Sequence, residues 1–230
     1  MSRVCLAIAF GAFLGTFIGP ARGQDEAKPA PPKPEPLSVT VTGAIDPEVA
    51  PVVGKLTALF FESYPKLIER FEHPEKPAPR SIRMVIEAEL RVPAQCSGNR
   101  IQVSADWLKK HPEDIGLLTH ELTHAVQAYP RGGPAWLTEG IADYARQFYG
   151  PKDQPGWALP RRLTEKQSYR DSYRTTAKFL VWLDEKHPGI VDKIHRSLQD
   201  RAFKLEDFET IAGKSLDTLW DDCVGDLSGR

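Results

Sequence analysis

The sequence predicts an α+β fold, a small N-terminal β-sheet with helices followed by a mainly helical C-terminal half. Three observations carry this. Leu37–Thr42, Arg80–Ala88 and Arg100–Ser104 are short segments that alternate or are rich in β-branched residues, as strands are. From His111 onward apolar residues recur at helical spacing almost to the end. Strands grouped first and helices second indicate α+β rather than an alternating parallel architecture. The chain has 230 residues, 41% hydrophobic and 27% charged, enough to bury a core without staples. That composition excludes a disordered chain, a collagen-like fibre and a polytopic membrane protein.

Residues 1–23 read as a signal peptide. Arg3 is the charged start, Val4 to Ile18 is an uncharged apolar run, and Ala21-Arg22-Gly23 offers small residues at the cleavage point. The run is short and glycine-interrupted, so no stable membrane span is expected after cleavage, an uncleaved anchor being the alternative. The expected location is secreted or periplasmic. Arg3 and Arg22 are the only charges removed, so the net charge goes from −1 to −3. Without a basic excess, nucleic acid is not an expected partner. Cleavage also removes Cys5 and leaves Cys96 and Cys223, which fit either one disulfide or two buried thiols. Gln24 to Pro36 (QDEAKPAPPKPEP) has no large apolar residue and is expected to be a disordered or extended spacer. One globular domain, 37–230, follows.

Within that domain, Gly43 ends the first strand. Asp46 as N-cap and Pro47 in the first turn open a helix to about Phe71, with Pro65 a place for a bend. Val52, Val53, Leu56, Leu59, Phe60, Leu67 and Ile68 supply its apolar face. Ser97-Gly98-Asn99 is a turn before the third strand. Pro112-Glu113-Asp114 starts a helix that Tyr129-Pro130 stops. Gly132-Gly133-Pro134 and Gly150-Pro151 bracket another, Ala135 to Tyr149, and an apolar helix spans Thr175 to Leu183.

The chemistry-bearing residues sit on these helices. His120-Glu121-Leu122-Thr123-His124 is an HExxH motif. Positions four apart share a helix face, so both imidazoles can point at one metal ion. Glu121 can reach the edge of that site and take a proton from an activated water. Glu139 and Asp143 are also four apart, on the next helix. The connecting loop is short, so the two helices are expected to be antiparallel neighbours, with Gly140 allowing close approach. Glu139 would then be the third metal ligand, leaving a position open, the arrangement of a catalytic zinc site with one Zn2+ per chain. Asp143 would accept the outer N–H of a ligand histidine. Tyr173 is the candidate to donate a hydrogen bond to a developing oxyanion, the alternative being a core or interface tyrosine. His73, His111, His187 and His195 read as surface residues. There is no GxSxG elbow, CxxC pair or phosphate-cradling glycine motif.

HELTHAVQAY, GGPAWLTEGIADYAR, YRDSYRTTAKFLVWL and FETIAGKSLDTLW, in this order, resemble the basic secretory protein family of secreted zinc peptidases. The resemblance runs from about Leu37 to Asp226. HELTHAV also resembles the active-site helix of thermolysin-like enzymes, where a glutamate on the following helix is the third ligand and an aspartate four residues later supports a ligand histidine. The resemblance implies a zincin-like metallopeptidase domain, a peptide or protein substrate, and a sheet edge at Arg100–Ser104 that pairs with it. It departs in two ways: the mature chain is slightly acidic, and His124 and Glu139 are closer than in thermolysin. The expected function is a secreted zinc-dependent metallopeptidase. The alternatives are a non-catalytic exported binding module on the same fold, or a zinc amidase acting on cell-wall crosslinks.

Overall fold

The computed structural model describes residues 35–130 and 133–228. The expected signal peptide, the spacer up to residue 34, and Arg131 and Gly132 lie outside the described residues. The architecture is α+β and mainly helical, with one small mixed sheet and eight α-helices among the described residues.

Three strands run parallel: β1 (Ser38–Gly43), β2 (Ser81–Glu87) and β4 (Arg100–Ser104). A fourth, β3 (Ala94–Ser97), runs antiparallel to β4, and the sheet order is β1-β2-β4-β3. Arg100–Ser104 is therefore an interior strand, contrary to the sequence expectation, and the edge belongs to Ala94–Ser97. Gly98, at φ +60°, lets the chain turn back between β3 and β4. The alternation does place residues as expected: Ile82, Met84 and Ile86 of β2 and Ile101 and Val103 of β4 face the core.

Helix α1 (Ala50–Phe71) is continuous through Pro65 and buries Val52, Val53, Leu56, Leu59, Phe60, Tyr64, Leu67 and Phe71. It begins later than expected. Asp46 instead caps the preceding turn, its Oδ1 accepting from the backbone N–H of Glu48 and Val49 at 3.0 Å each. After β4 come α2 (Ala105–Lys110), α3 (Leu117–Gln127) and α4 (Ala135–Tyr149). Then α5 (Tyr173–Lys186), α6 (Ile190–Gln199), α7 (Asp207–Ala212) and α8 (Leu216–Leu227) complete the chain. Helix α3 starts at Leu117 rather than near Pro112, because Asp114 is drawn into contacts with Trp107 and Arg146.

Helix α3 packs against α1, α4 and β3, α4 packs on α5, and α5 contacts α6 and α8. Almost every residue of α3 is buried, so the HExxH helix is a core element. Gly140 serves a close approach, but to α5: a Cβ there would run into the Thr176 side chain.

Two histidines expected at the surface are buried. His73 Nδ1 accepts from the Glu75 N–H and its Nε2 meets Asp200 at 2.8 Å. His195 shares a face of α6 with Val191 and Leu198, which the charged residues around it disguise in the sequence. Its Nε2–H donates to the Phe71 carbonyl, so Nδ1 accepts from the Tyr129 hydroxyl, both at 2.8 Å. Gln199, one turn on, donates to the Phe71 and Val126 carbonyls at 3.2 Å each. These contacts brace the end of α3. Cys96 and Cys223 are both free thiols.

Burial lowers the His195 pKa to about 4. An imidazole that resists protonation only when folded gives stability that is present above about pH 6.5 and lost as pH falls toward 4, roughly 3 kcal/mol in all. Denaturation of wild type and His195→Gln across this window should show the variant's stability falling less with acid. Parallel profiles would contradict this account of His195.

Candidate metal centre

The site forms where α3 and α4 face each other. His120 and His124 project from one face of α3, and Glu139 reaches them from the second turn of α4. One ligand atom from each of these three residues lies within 4.8 Å of the others, so the group could hold a metal ion. His120 Nε2 is 3.1 Å from Glu139 Oε2 and 3.1 Å from His124 Nε2, and His124 Nε2 is 3.5 Å from Glu139 Oε2.

Partners on the far side of each ring fix which nitrogen is offered. The Asp143 carboxylate can only accept, so His120 Nδ1–H donates to it at 2.7 Å. The Gln127 amide nitrogen donates to the Thr138 carbonyl at 2.9 Å, which turns its oxygen to His124 Nδ1 at 2.7 Å. Both Nδ1 atoms therefore carry hydrogens, and both rings turn Nε2 toward the point where a cation would sit. The fit to a metal rests on this donor set: two imidazole nitrogens and a carboxylate oxygen suit zinc, and three protein ligands leave a position open.

The electrostatics of the three side chains point the same way. Burial opposes a charge on His120, but Asp143 and Glu139 outweigh it and raise its pKa to about 10. Burial likewise opposes a charge on Glu139, yet hydrogen bonds from His120 and His124 pull it down to about 2. Positive charge is thus favoured where the three ligand atoms converge.

Glu121 is buried beside the pair, and burial, only partly countered by His120 and His124, pushes its carboxyl pKa up. Tyr173 opens α5 and stacks on His120, ring centres 6.0 Å apart and 17° from parallel. It lies in the cleft, with burial and then the charges of Glu139, Asp143 and Glu121 raising its pKa, so the phenol stays a donor. Ser172 and Tyr173 have φ values of 64° and 47°. Two successive non-glycine residues in this region are strained by about 1–3 kcal/mol each, which the packing around the site must hold in place.

A cleft of about 1060 Å³ contains the site, and the β3 edge lines one side of it. The comparison with known proteins fits this geometry. The model of the BSP family, peptidases of plants and bacteria, matches residues 56–223. The chain belongs to the BSP family. The match runs from α1 into α8 and so includes both helices of the BSP chain's candidate metal centre. The family label makes a protein or peptide the substrate class. No curated protein and no solved structure matches the chain.

The structure brings together all six residues singled out in the sequence: His120, Glu121, His124, Glu139, Asp143 and Tyr173. It adds Gln127 to the BSP site, three residues after His124 and hence on its face. Loss of such a partner weakens metal binding by about 10–100-fold. Gln127→Ala should show that loss in a chelator competition. Unchanged metal affinity would remove Gln127 from the site.

Proposed function

We propose that this chain is an exported zinc metalloendopeptidase with a zincin-like catalytic domain. The observation that carries the reading is the convergence of two imidazoles with fixed ring orientation, one carboxylate and a buried second carboxylate in a cleft bordered by the outermost strand of the sheet. His120, His124 and Glu139 would hold the zinc, with Asp143 and Gln127 orienting the rings. Bound there, zinc supplies a Lewis acid for the scissile carbonyl and for the attacking water.

The chain's own groups do the rest. Glu121 takes the proton from the attacking water and delivers it to the leaving amine. Tyr173 donates its O–H to the oxygen that gains charge at the scissile carbonyl. The substrate backbone pairs with β3, Ala94–Ser97, the outermost strand where the sheet meets the cleft. The leader-like segment 1–23 supports export, followed by a spacer to residue 36 and the catalytic domain from 37.

The test is hydrolysis of a broad peptide mixture by metal-loaded, chelator-treated and zinc-restored protein. Cleavage that is lost with chelator and restored by zinc is expected. Metal-loaded protein that cleaves no peptide would contradict the peptidase reading. Binding without turnover would then favour the non-catalytic module, and release of cell-wall crosslinks would favour the amidase.

A further inference from the structure

A second construction stands in the same cleft, one turn of α4 beyond Asp143. Arg146 is 5% exposed and held on three sides. Its Nη2 donates to Asp114 Oδ1 at 2.6 Å, and its Nε donates to Gln154 at 2.8 Å. Its guanidinium carbon lies 4.2 Å from the ring centre of Trp157. The other Asp114 oxygen accepts the indole N–H of Trp107 at 3.0 Å. One buried ion pair therefore fixes two tryptophans that are far apart in sequence.

Both indoles are half-buried and line the cleft that holds His120 and Glu121. The Trp107 N–H is consumed internally and its ring packs against that of His111, centres 4.0 Å apart, so what this indole has left for the cleft is ring carbon. The guanidinium of Arg146 is paired with Asp114, so the charge beside the indoles is spent within the fold; the exposed cation of the same cleft is Arg174, on α5. A buried ion pair is a weak source of stability compared with apolar packing of the same volume. Its clear effect here is to fix the two rings. Val92, 44% exposed, adds apolar surface to the same cleft.

We propose that Trp107 and Trp157 form a side-chain subsite for a large apolar or aromatic residue flanking the scissile bond. The proposal rests on the peptidase reading for its place beside that bond. Aromatic side chains have about 150–250 Å² to bury and stack on indole faces, which suits a wall of this kind. A substrate with alanine at that position leaves the wall wet.

Two readouts test it. The first is kcat/KM for two peptides that differ only by Phe or Ala next to the cut. Wild type should prefer Phe by about 10- to 200-fold, and Trp107→Ala or Trp157→Ala should collapse that ratio. An equal fall on both peptides, or an unchanged ratio, would overturn the subsite. The second needs no turnover. The indole N–H resonances of zinc-loaded Glu121→Gln protein are followed by NMR, assigned with Trp107→Phe and Trp157→Phe.

N-acetyl-Ala-Phe-Ala-amide should shift both resonances, and its all-alanine counterpart should not. No shift with the Phe peptide, or a shift only with an N-acetylglucosamine disaccharide, would overturn the proposal, the latter in favour of a sugar platform. The Phe peptide shifting both indoles of a chain that hydrolyses nothing would keep the aromatic-binding wall and defeat the peptidase reading alone.

Discussion

Glu121→Gln is expected to lower peptide hydrolysis by about 10²–10⁴-fold, the usual worth of a positioned acid–base group. Glutamine matches glutamate in shape but cannot take a proton from water. The side chain is buried and makes no contact with the convergent ligand atoms close enough to be counted among them. Metal content should therefore stay at the wild-type level. The measurement is single-turnover hydrolysis of one cleaved peptide alongside metal analysis of the same sample. Turnover equal to wild type would remove Glu121 from the mechanism. Loss of metal together with activity would make it a ligand or a structural group instead.

Glu139→Ala is expected to abolish stable metal binding. Loss of an outer partner alone costs about 10–100-fold in affinity, so removing one of three ligands should exceed about 100-fold. The effect also shows without any substrate. With zinc at about 1,000 times its Kd, wild type gains about 4 kcal/mol against unfolding, seen as a rise in Tm. The variant should show no such rise at the same zinc concentration. Asp143 still holds His120 from the other side at 2.7 Å, so the fold should survive the change. A zinc-dependent Tm shift equal to wild type would show that Glu139 is not a ligand.

The site was legible in the sequence to the extent that helical spacing could express it. His120 and His124, and Glu139 and Asp143, are pairs four apart, and a short loop makes neighbours of their helices. Gln127 was within reach of the same argument, at a spacing of three from His124. Its significance comes from the Thr138 carbonyl, a backbone contact across helices that no residue pattern announces.

The sheet was legible only in part. Ile82, Met84, Ile86, Ile101 and Val103 alternate as strand residues should, but Ala94–Ser97 carries no β-branched residue and becomes a strand through pairing with β4. Strand order depends on that pairing, so the expected edge, Arg100–Ser104, lies one strand inside the actual one. His195 shows the same limit: charged neighbours mark its helix as exposed, while tertiary contacts from Tyr129 and Phe71 bury it. The Trp107–Asp114–Arg146–Trp157 wall is assembled from residues on several elements and has no sequence spacing at all.

The most direct test of the central claim is zinc content per chain, on protein purified without chelator and without added metal. About one zinc per chain is predicted for wild type, and almost none for Glu139→Ala of unchanged secondary structure. No metal in wild type, and no uptake when zinc is added, would contradict the His120–His124–Glu139 centre and the hydrolytic function built on it.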